Sequence, residues 1–285
     1  MKYSLGFINL AVHNKAKMMT EQYKELINWF KQQKGVLTAL SGGVDSCLVA
    51  WAARQALPKD KAIAIIGDSP SLKRRDYQLA TAFCDENDIQ YDVVLPDELN
   101  DPNYRTNPED RCFWCKSSLY TVMGDYKARK YPEFIMVNGN NKSDWGDYRP
   151  GLKAADKYQA FSPLAECGMT KEDIRNMARD AGLKVWDKPA SPCLSSRFPY
   201  GELITLDKLA LVEKAEELLA SMGFSDARVR YFGDTARVEV PPFQIQQLQE
   251  KWAKITEQFK NFGFKKAEID EEGLVSGKLN RLIGK

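Results

Sequence analysis

Short apolar segments alternate with helical segments through the first two thirds of the chain, and this alternation limits the fold more than any other feature. A helix pattern that places Leu26, Ile27 and Phe30 on one face comes first. Strand patterns follow at residues 36–40, 62–66, 91–95 and 134–137; helix patterns lie at 44–56, 72–86, 113–129 and from 170 to about 181. Buried strands separated by helices are typical of a parallel sheet covered on both faces. We therefore predict an α/β domain for residues 20–200.

The pattern changes after Gly201. A helix is predicted at 206–222, followed by strands at 228–231 and 236–240 around the turn Phe232-Gly233-Asp234. A helix at 243–259 and a strand at 265–269 complete this part. We predict a smaller C-terminal α+β domain over residues 201–285, serving substrate binding or oligomerisation.

Composition excludes several classes of protein. A hydrophobic fraction of 44% and a charged fraction of 28% are those of a soluble globular protein. No segment approaches the roughly 20 apolar residues of a membrane helix. The apolar run at 5–12 has no small-residue cleavage site after it. We expect a cytoplasmic protein without a membrane partner.

Charge and histidine content narrow the function further. With 41 basic and 39 acidic residues, the net charge is +2, which disfavours a dedicated nucleic-acid-binding protein. The single histidine is His13, in the N-terminal segment, and we expect no catalytic role for it. A Ser-His or Cys-His catalytic pair elsewhere in the chain is therefore excluded.

The hexapeptide Ser41-Gly42-Gly43-Val44-Asp45-Ser46 stands between a predicted strand and a predicted helix. Glycines allow close backbone approach to a polyanion, and the helix N-terminus offers unpaired N–H groups. The two serines add hydroxyl donors, and Asp45 can orient Mg²⁺ between phosphate oxygens. A capped glycine turn is the alternative, but position and composition favour phosphate binding.

This hexapeptide resembles the PP-loop of ATP pyrophosphatases, which cleave ATP to AMP and pyrophosphate. It lacks the Gly-Lys-Ser/Thr ending of a Walker loop. The resemblance implies a PP-loop fold for residues 20–200, and substrate adenylation with ATP and Mg²⁺ bound at Ser41, Gly42, Gly43, Asp45 and Ser46. The loop alone fits several synthetases and tRNA thiolases equally well.

A second motif carries cysteines. Cys112 and Cys115 form a C-x-x-C at the start of a predicted helix, flanked by Arg111 and Lys116, which we expect to lower the thiol pKa values. A third cysteine, Cys193, lies in a Pro- and Ser-rich loop. Three cysteines around a [4Fe–4S] cluster would leave one iron open for an extra sulfide. The residues alone leave a zinc or redox site at Cys112 and Cys115 equally open.

Several stretches resemble the LarE sulfur transferases, which serve biosynthesis of the nickel-pincer nucleotide of lactate racemase. They are the Cys-Leu-Ser-Ser-Arg and Pro-Tyr-Gly segments at 193–201, Asp-Tyr-Arg-Pro-Gly at 147–151, Ser-Pro-Leu-Ala-Glu at 162–166, Trp-Asp-Lys-Pro at 186–189, and the Arg-x-Arg hairpin at 228–240. The resemblance runs from about Thr20 to the C-terminus.

The resemblance implies an ATP-dependent sulfurtransferase. Its substrate is a small nucleotide, pyridinium-3,5-biscarboxylic acid mononucleotide, of which one carboxylate is adenylylated and becomes a thiocarboxylate. Some family members sacrifice the cysteine matching Cys193; members with three cysteines resemble cluster enzymes. Because this chain has all three, we favour a [4Fe–4S] cluster on Cys112, Cys115 and Cys193, a sulfide or persulfide donor, and a homo-oligomer.

The remaining candidates are arginines and one carboxylate. Arg228 and Arg230 alternate on a strand and so share a face suited to a substrate phosphate. Arg111 and Arg197 are candidate cofactor-binding residues near the cysteines, and Glu239 is a candidate metal ligand. We interpret Cys47 and Cys84 as core thiols.

Two rival functions remain. A PP-loop tRNA thiolase predicts a basic surface and salt-sensitive RNA binding. A non-catalytic metal or redox sensor predicts iron binding without pyrophosphate release.

Overall fold

A computed structural model describes residues 21–146, 150–275, 277, 278 and 281. The apolar run at 5–12, His13, and residues 147–149 of the Asp-Tyr-Arg-Pro-Gly segment lie outside the described residues.

Five parallel strands form the main sheet. They are β1 (Val36–Ala39), β2 (Ala62–Gly67), β3 (Gln90–Val94), β4 (Ile135–Val137) and β5 (Ala160–Phe161), in the order β3-β2-β1-β4-β5. Val36 pairs with Ala62 on one side and with Ile135 on the other. The central strands are almost entirely apolar, with Thr38 as a buried polar residue in β1, because both faces of the sheet are covered. The predicted α/β class is confirmed.

Helices alternate with these strands along the chain, and most of them cover the two faces of the sheet. They are α1 (Glu21–Lys31), α2 (Val44–Ala56), α3 (Arg74–Glu86), α4 (Pro102–Arg105), α5 (Arg111–Lys130), α6 (Pro150–Lys157), α7 (Pro163–Glu166) and α8 (Lys171–Asp180). A capping box formed by Thr170 and Asp173 starts α8, as the sequence indicates. The short elements α4, α6, α7 and β5 have no clear sequence period, and the sequence does not predict them.

The main sheet separates two apolar cores. One packs α1, α2, α3 and α8 against one face and contains Cys47 and Cys84, both fully buried. The other packs α5 and α6 against the opposite face. The interpretation of Cys47 and Cys84 as core thiols is confirmed, and burial raises the pKa of Cys84 to about 12.

The C-terminal part contains a second, three-stranded sheet. It comprises β6 (Arg228–Phe232), β7 (Thr235–Glu239) and β8 (Lys266–Ile269), with α9 (Leu206–Ser221), α10 (Ile245–Glu250) and α11 (Trp252–Phe262). The strands β6 and β7 form the predicted hairpin, with Gly233 at φ +61° in its turn. The single helix predicted at 243–259 is wrong. The N–H of Lys251 bonds the carbonyl of Leu248, three residues back, and this tighter turn separates α10 from α11.

The core of the C-terminal part extends across the predicted boundary at residue 200. Tyr104, Leu194 and Phe198 belong to it, and Trp114 and Cys115 pack against it. The chain segments that carry Cys115 and Cys193 therefore contact the core of the C-terminal part. Within the described part of the chain, we find no helix with the length and apolar character to cross a membrane.

Candidate functional site

The phosphate loop, residues 41–46, joins the end of β1 to the start of α2. Gly42 has φ +72°, and a Cβ there would lie 3.0 Å from the carbonyl oxygen of Asp76. Gly43 precedes α2 and makes no side-chain cap to it. This arrangement leaves helix N–H groups available to an anion.

The hydroxyl group of Ser46 is used within the loop. It accepts a hydrogen bond from the N–H of Ser41 at 3.2 Å and donates one to the carbonyl oxygen of Gly43 at 3.1 Å. Gly139, just after β4, packs against the same turn. A Cβ at Gly139 would lie only 2.7 Å from the amide nitrogen of Ser46. The loop conformation is thus fixed by the hydrogen bonds of Ser46 within the loop and by packing against Gly139 after β4.

Asp45 extends from the first turn of α2. Its carboxylate forms an ion pair with Lys171, at the start of α8, and lies 3.4 Å from the side-chain nitrogen of Asn141. An Mg²⁺ ion at Asp45 would compete with Lys171 for the carboxylate. The magnesium role of Asp45 stays a prediction.

A cavity of about 400 Å³ opens beside the loop, and we call it the phosphate-loop cavity. Its wall is partly apolar, as a nucleobase requires, with Leu40, Leu72, Pro96 and Leu119. Its polar wall comprises Ser41, Gly43, Asp45, Ser46, Ser69, Ser71, Glu98, Lys116, Asn138, Asn140 and Asp144. The thiols of Cys115 and Cys193 also line it. Among the described lining residues, Lys116 is the one basic residue.

A second cavity, of about 430 Å³, is lined by Arg111, Arg228 and Arg230 together with Cys112 and Tyr200. We call it the arginine cavity. Lys116 and Asn140 belong to the walls of both cavities. A molecule in the arginine cavity can therefore approach a nucleotide in the phosphate-loop cavity.

Arg228 and Arg230 share the arginine cavity but have different surroundings. Arg228 is half-buried, and its side chain, unlike its backbone in the β6–β7 ladder, has no hydrogen-bond partner among the described residues. Burial, followed by the nearby cations Arg197 and Arg230, lowers the pKa of Arg228. Such a guanidinium is suited to an anionic ligand.

Arg230 is buried in an ion pair with Glu239 at 2.8 Å and donates to the carbonyl oxygen of Ser196 at 2.7 Å. Glu239 is also buried, with Lys278 3.8 Å away. The structure therefore shows Glu239 neutralised by cations, and its predicted metal role stays a prediction.

Arg197 fixes the loop that carries Cys193. Its guanidinium is 1% exposed and binds both carboxylate oxygens of Glu216, at 2.7 and 3.1 Å. It also donates to the carbonyl oxygens of Pro192 and Cys193. Arg197 acts on the backbone of this loop, and its predicted contact with a ligand stays a prediction.

The three candidate cysteines lie in the walls of the two neighbouring cavities. Cys115 and Cys193 line one cavity and Cys112 the other. Cys112 and Cys193 both contribute to the electrostatic environment of Cys115. Leu194, the residue after Cys193, donates its N–H to the carbonyl oxygen of Ser71, which ties this loop to the phosphate-loop cavity.

The expected lowering of the thiol pKa is wrong for Cys115. Burial, with a further contribution from Glu98, raises the pKa of Cys115 well above its usual value, and Arg111 offsets only part of this. Burial lowers the pKa of Arg111, but the nearby Cys193 and Cys112 outweigh burial, so the pKa of Arg111 is raised. The Arg111 guanidinium donates to Asn107 and, at 3.0 Å, to the carbonyl of Ser195.

Glu98 is a site residue that the sequence does not single out. It is 1% exposed, its Oε1 accepts hydrogen bonds from Ser69 and Ser71, and its Oε2 has no partner among the described residues. Burial raises the pKa of Glu98. The sequence also does not single out Lys188 and Asp76: the Lys188 ammonium donates to the carbonyl oxygen of Gly42 in the phosphate loop and forms an ion pair with Asp76. Lys188 lies in the Trp-Asp-Lys-Pro stretch, which was the only available signal.

No group of three His, Cys, Asp or Glu side chains in the described ranges is arranged to hold a single metal ion. The cysteines of an iron–sulfur cluster bind different iron atoms, so their sulfurs stand further apart than the ligands of one zinc ion.

Comparisons with known proteins cover most of the chain. A family model described as NAD synthase matches residues 16–110, which include the phosphate loop. The uncharacterized protein slr1717 of Synechocystis sp. is 41% identical over 270 residues, covering 94% of this chain and 100% of the relative. The pyridinium-3,5-bisthiocarboxylic acid mononucleotide synthase of Lactiplantibacillus plantarum is 34% identical over 260 residues, covering 91% of this chain and 94% of that protein. The uncharacterized protein MJ0830 of Methanocaldococcus jannaschii is 27% identical over 243 residues, covering 85% and 91%.

Proposed function

The chain belongs to the LarE family, and from this premise we propose that it is an ATP-dependent sulfurtransferase that converts a carboxylate of a pyridinium mononucleotide to a thiocarboxylate. The proposed substrate is pyridinium-3,5-biscarboxylic acid mononucleotide. The identity of 34% to the Lactiplantibacillus plantarum synthase, over nearly the full length of both proteins, supports this assignment.

One structural observation carries the proposal. The phosphate loop and the thiols of Cys115 and Cys193 line the same cavity. An adenylate formed at the loop would therefore stay within reach of a sulfur-bearing group without leaving the protein. Activation and sulfur transfer would then take place in one cavity, so the adenylate need not diffuse between two separate sites.

Adenylation supplies the leaving group that the reaction needs. A carboxylate oxygen attacks the α-phosphorus of ATP, the bond to the bridging oxygen breaks, and pyrophosphate leaves. Sulfur then attacks the carbonyl carbon, and AMP leaves with the bonding electrons. The helix N-terminus at Gly43 and Val44 is suited to the phosphates, and Asp45 is the residue we assign to Mg²⁺.

The arginine cavity is assigned to the substrate. The side chain of Arg228 has no hydrogen-bond partner among the described residues, and Arg230 lies beside it. We assign the substrate phosphate to this pair, because a single guanidinium group can donate two parallel hydrogen bonds to phosphate oxygens. The substrate carboxylate would then extend toward the shared wall at Lys116 and Asn140.

The three cysteines are chemically suited to a [4Fe–4S] cluster. The three residues supply thiol ligands from two chain segments that line the neighbouring cavities. The buried cation Arg111 lies beside them and can offset the charge of the thiolates. Cys112, Cys115 and Cys193 would hold the cluster. When bound, it supplies an iron that can carry sulfur between turnovers, so no cysteine is consumed. The raised pKa of Cys115 implies that loading releases a proton from this thiol.

Sacrifice of Cys193 as the sulfur donor is the competing version of the same function. The position of Cys193 in the wall of the phosphate-loop cavity is compatible with it. The physiological sulfur donor, sulfide or persulfide, and assembly into a homo-oligomer remain part of the proposal.

The test is substrate-dependent release of pyrophosphate from ATP with Mg²⁺, followed by mass spectrometry of the mononucleotide. We expect pyrophosphate release to require the pyridinium dicarboxylate mononucleotide. We also expect the mass of the product to show that one oxygen has been replaced by sulfur. Release stimulated by tRNA instead would favour a tRNA thiolase, and metal binding without release would favour a sensor.

A further inference from the structure

We propose that Lys116 is a catalytic residue for the adenylation step and bridges the attacking carboxylate and the α-phosphate. This inference rests on the proposed function and assigns the residue that brings its two anionic reactants together. It concerns the boundary between the two cavities.

Lys116 stands where the two cavities meet. The phosphate-loop cavity contains the loop residues but no arginine, and the arginine cavity contains three arginines but no loop residue. Lys116 lines both. A carboxylate that enters from the arginine cavity and attacks a nucleotide at the loop must pass the wall formed by Lys116 and Asn140.

The charged side chains of the phosphate-loop cavity are mostly acidic. Asp45, Glu98 and Asp144 line the phosphate-loop cavity, and Lys116 is the one basic residue among its described lining residues. Lys171 is committed to Asp45 outside this wall. Two anions, a carboxylate and an α-phosphate, must come into contact in this space. An ammonium group at their meeting point lowers that repulsion, and more strongly in a cavity than in water.

The side chain of Lys116 is also held in place. Its ammonium donates a hydrogen bond of 3.2 Å to the side-chain oxygen of Asn140. The amide nitrogen of Asn140 is directed to Ser162 at 3.3 Å, and its backbone N–H binds Asn138 at 2.9 Å, so the oxygen is left for Lys116. Such preorganisation is what makes a transition-state contact effective.

Gly151 makes room for this side chain. A Cβ at Gly151 would lie 2.9 Å from Cδ, 3.1 Å from Cε and 3.3 Å from Nζ of Lys116. A side chain at position 151 must therefore displace the end of Lys116. This contact provides a second way to move the ammonium without removing it.

The proposed step balances without a proton transfer. The carboxylate oxygen forms a bond to the α-phosphorus as the bond to pyrophosphate breaks, and the bonding electrons leave with pyrophosphate. Lys116 remains protonated throughout and contacts the carboxylate and a non-bridging α-phosphate oxygen.

The experiment measures substrate-dependent pyrophosphate release and ATP affinity for wild type, Lys116→Met, Lys116→Arg and Gly151→Ala, with Lys153→Met as the control. Lys153 is exposed on α6 and lines neither cavity. We expect Lys116→Met to lower kcat by about 10²–10³-fold, the usual cost of losing a transition-state donor, with a much smaller loss of ATP affinity. Lys116→Arg should recover part of the rate, and Gly151→Ala should lower kcat while keeping the charge.

If Lys116→Met released pyrophosphate at a rate within a few-fold of wild type, the proposed role of Lys116 would be overturned and the proposed function would stand. A wild-type protein that releases no pyrophosphate with this substrate would overturn the proposed function and this inference together. If the circular dichroism melt shows that Lys116→Met does not fold, the role of Lys116 is tested with Lys116→Arg and Gly151→Ala. An unchanged kcat in Gly151→Ala then contradicts the proposal.

Discussion

The ammonium group of Lys188 lies 2.8 Å from the carbonyl oxygen of Gly42, so the segment that leads to Cys193 is hydrogen-bonded to the phosphate loop. The same group forms a buried ion pair with Asp76 at 2.9 Å, and Ser191 donates to the other oxygen of Asp76 at 2.6 Å. The conformation of the phosphate loop and the position of the cysteine loop are therefore linked through Asp76.

We expect Lys188→Met to weaken ATP binding and to destabilise the fold. The substitution removes a charged hydrogen bond to the loop, worth about 1.5–3 kcal/mol, and leaves Asp76 buried without its cation. Isothermal titration with ATP and urea unfolding measure the two effects. Lys184→Met is the matched control, because Lys184 is exposed and, among the described residues, its ion pair is with Glu86 at the surface. Equal ATP affinities for the two variants would argue against the link.

Adjacent glycines of the phosphate loop should differ in their tolerance of alanine. Gly42→Ala places a side chain at φ +72° and 3.0 Å from a backbone oxygen, so we expect a loss of about 1–2 kcal/mol in unfolding free energy. Gly43→Ala meets only the Ser41 hydroxyl, at 3.6 Å, and should leave stability nearly unchanged. Denaturant titration of both variants gives the comparison, and a reversed order would mean that the loop conformation is different.

Much of the main sheet follows from local sequence, and the site does so only in part. The apolar segments at 36–40 and 62–66 are long enough to specify strands, and the glycines and serines at 41–46 specify the turn between strand and helix. In contrast, the two-residue strand Ala160–Phe161 forms only because β4 offers a parallel edge. No local pattern could have predicted it.

The missed site residues depend on contacts between distant segments. Glu98 becomes a buried carboxyl only when the chain brings Ser69 and Ser71 to it. Likewise, the raised pKa of Cys115 results from burial beneath the C-terminal core, which outweighs the nearby Arg111 that the C-x-x-C motif displays. Sequence spacing identified the thiols but not their environment.

Gly139 shows the same dependence and gives a further prediction. Gly139→Ala would place a Cβ 2.7 Å from the backbone nitrogen of Ser46, which cannot move aside as a flexible side chain could. We therefore expect both ATP affinity and stability to fall. Gly124→Ala in α5 is the control, since a Cβ there meets nothing within 4 Å and should stabilise the helix by about 1 kcal/mol. Melting temperatures measured with and without ATP compare the stability and the ATP binding of the Gly139→Ala and Gly124→Ala proteins. A Gly139→Ala protein that binds ATP like wild type would contradict the packing described here.

Glu216 should control stability at low pH. Burial alone would raise its pKa, but Arg197 and Lys73 outweigh burial and hold the pKa below its ordinary value of 4.5. A carboxyl with a lowered folded-state pKa stabilises the fold above the unfolded-state value, and that contribution is lost as the pH falls through the lower folded value.

We therefore expect Glu216→Gln to lower the unfolding free energy by about 3–5 kcal/mol at neutral pH, because the buried Arg197 and the partly buried Lys73 lose their partner. The difference from wild type should shrink as the pH falls below 4.5. Urea unfolding across this range is the measurement, and Glu217→Gln, on the exposed face of the same helix, is the control. A difference that stays constant into strong acid would contradict the ion-pair explanation.

The central claim is ATP-dependent sulfur transfer that uses all three cysteines. The most direct test is anaerobic purification of wild type and Cys112→Ala, with iron and sulfide content and the number of thiocarboxylate products per chain when ATP, Mg²⁺, substrate and sulfide are supplied. We predict about four irons per wild-type chain, several products per chain, and loss of both in the variant. An iron-free wild-type protein that makes one product per chain and loses the sulfur of Cys193 would contradict the cluster and establish that cysteine as the donor.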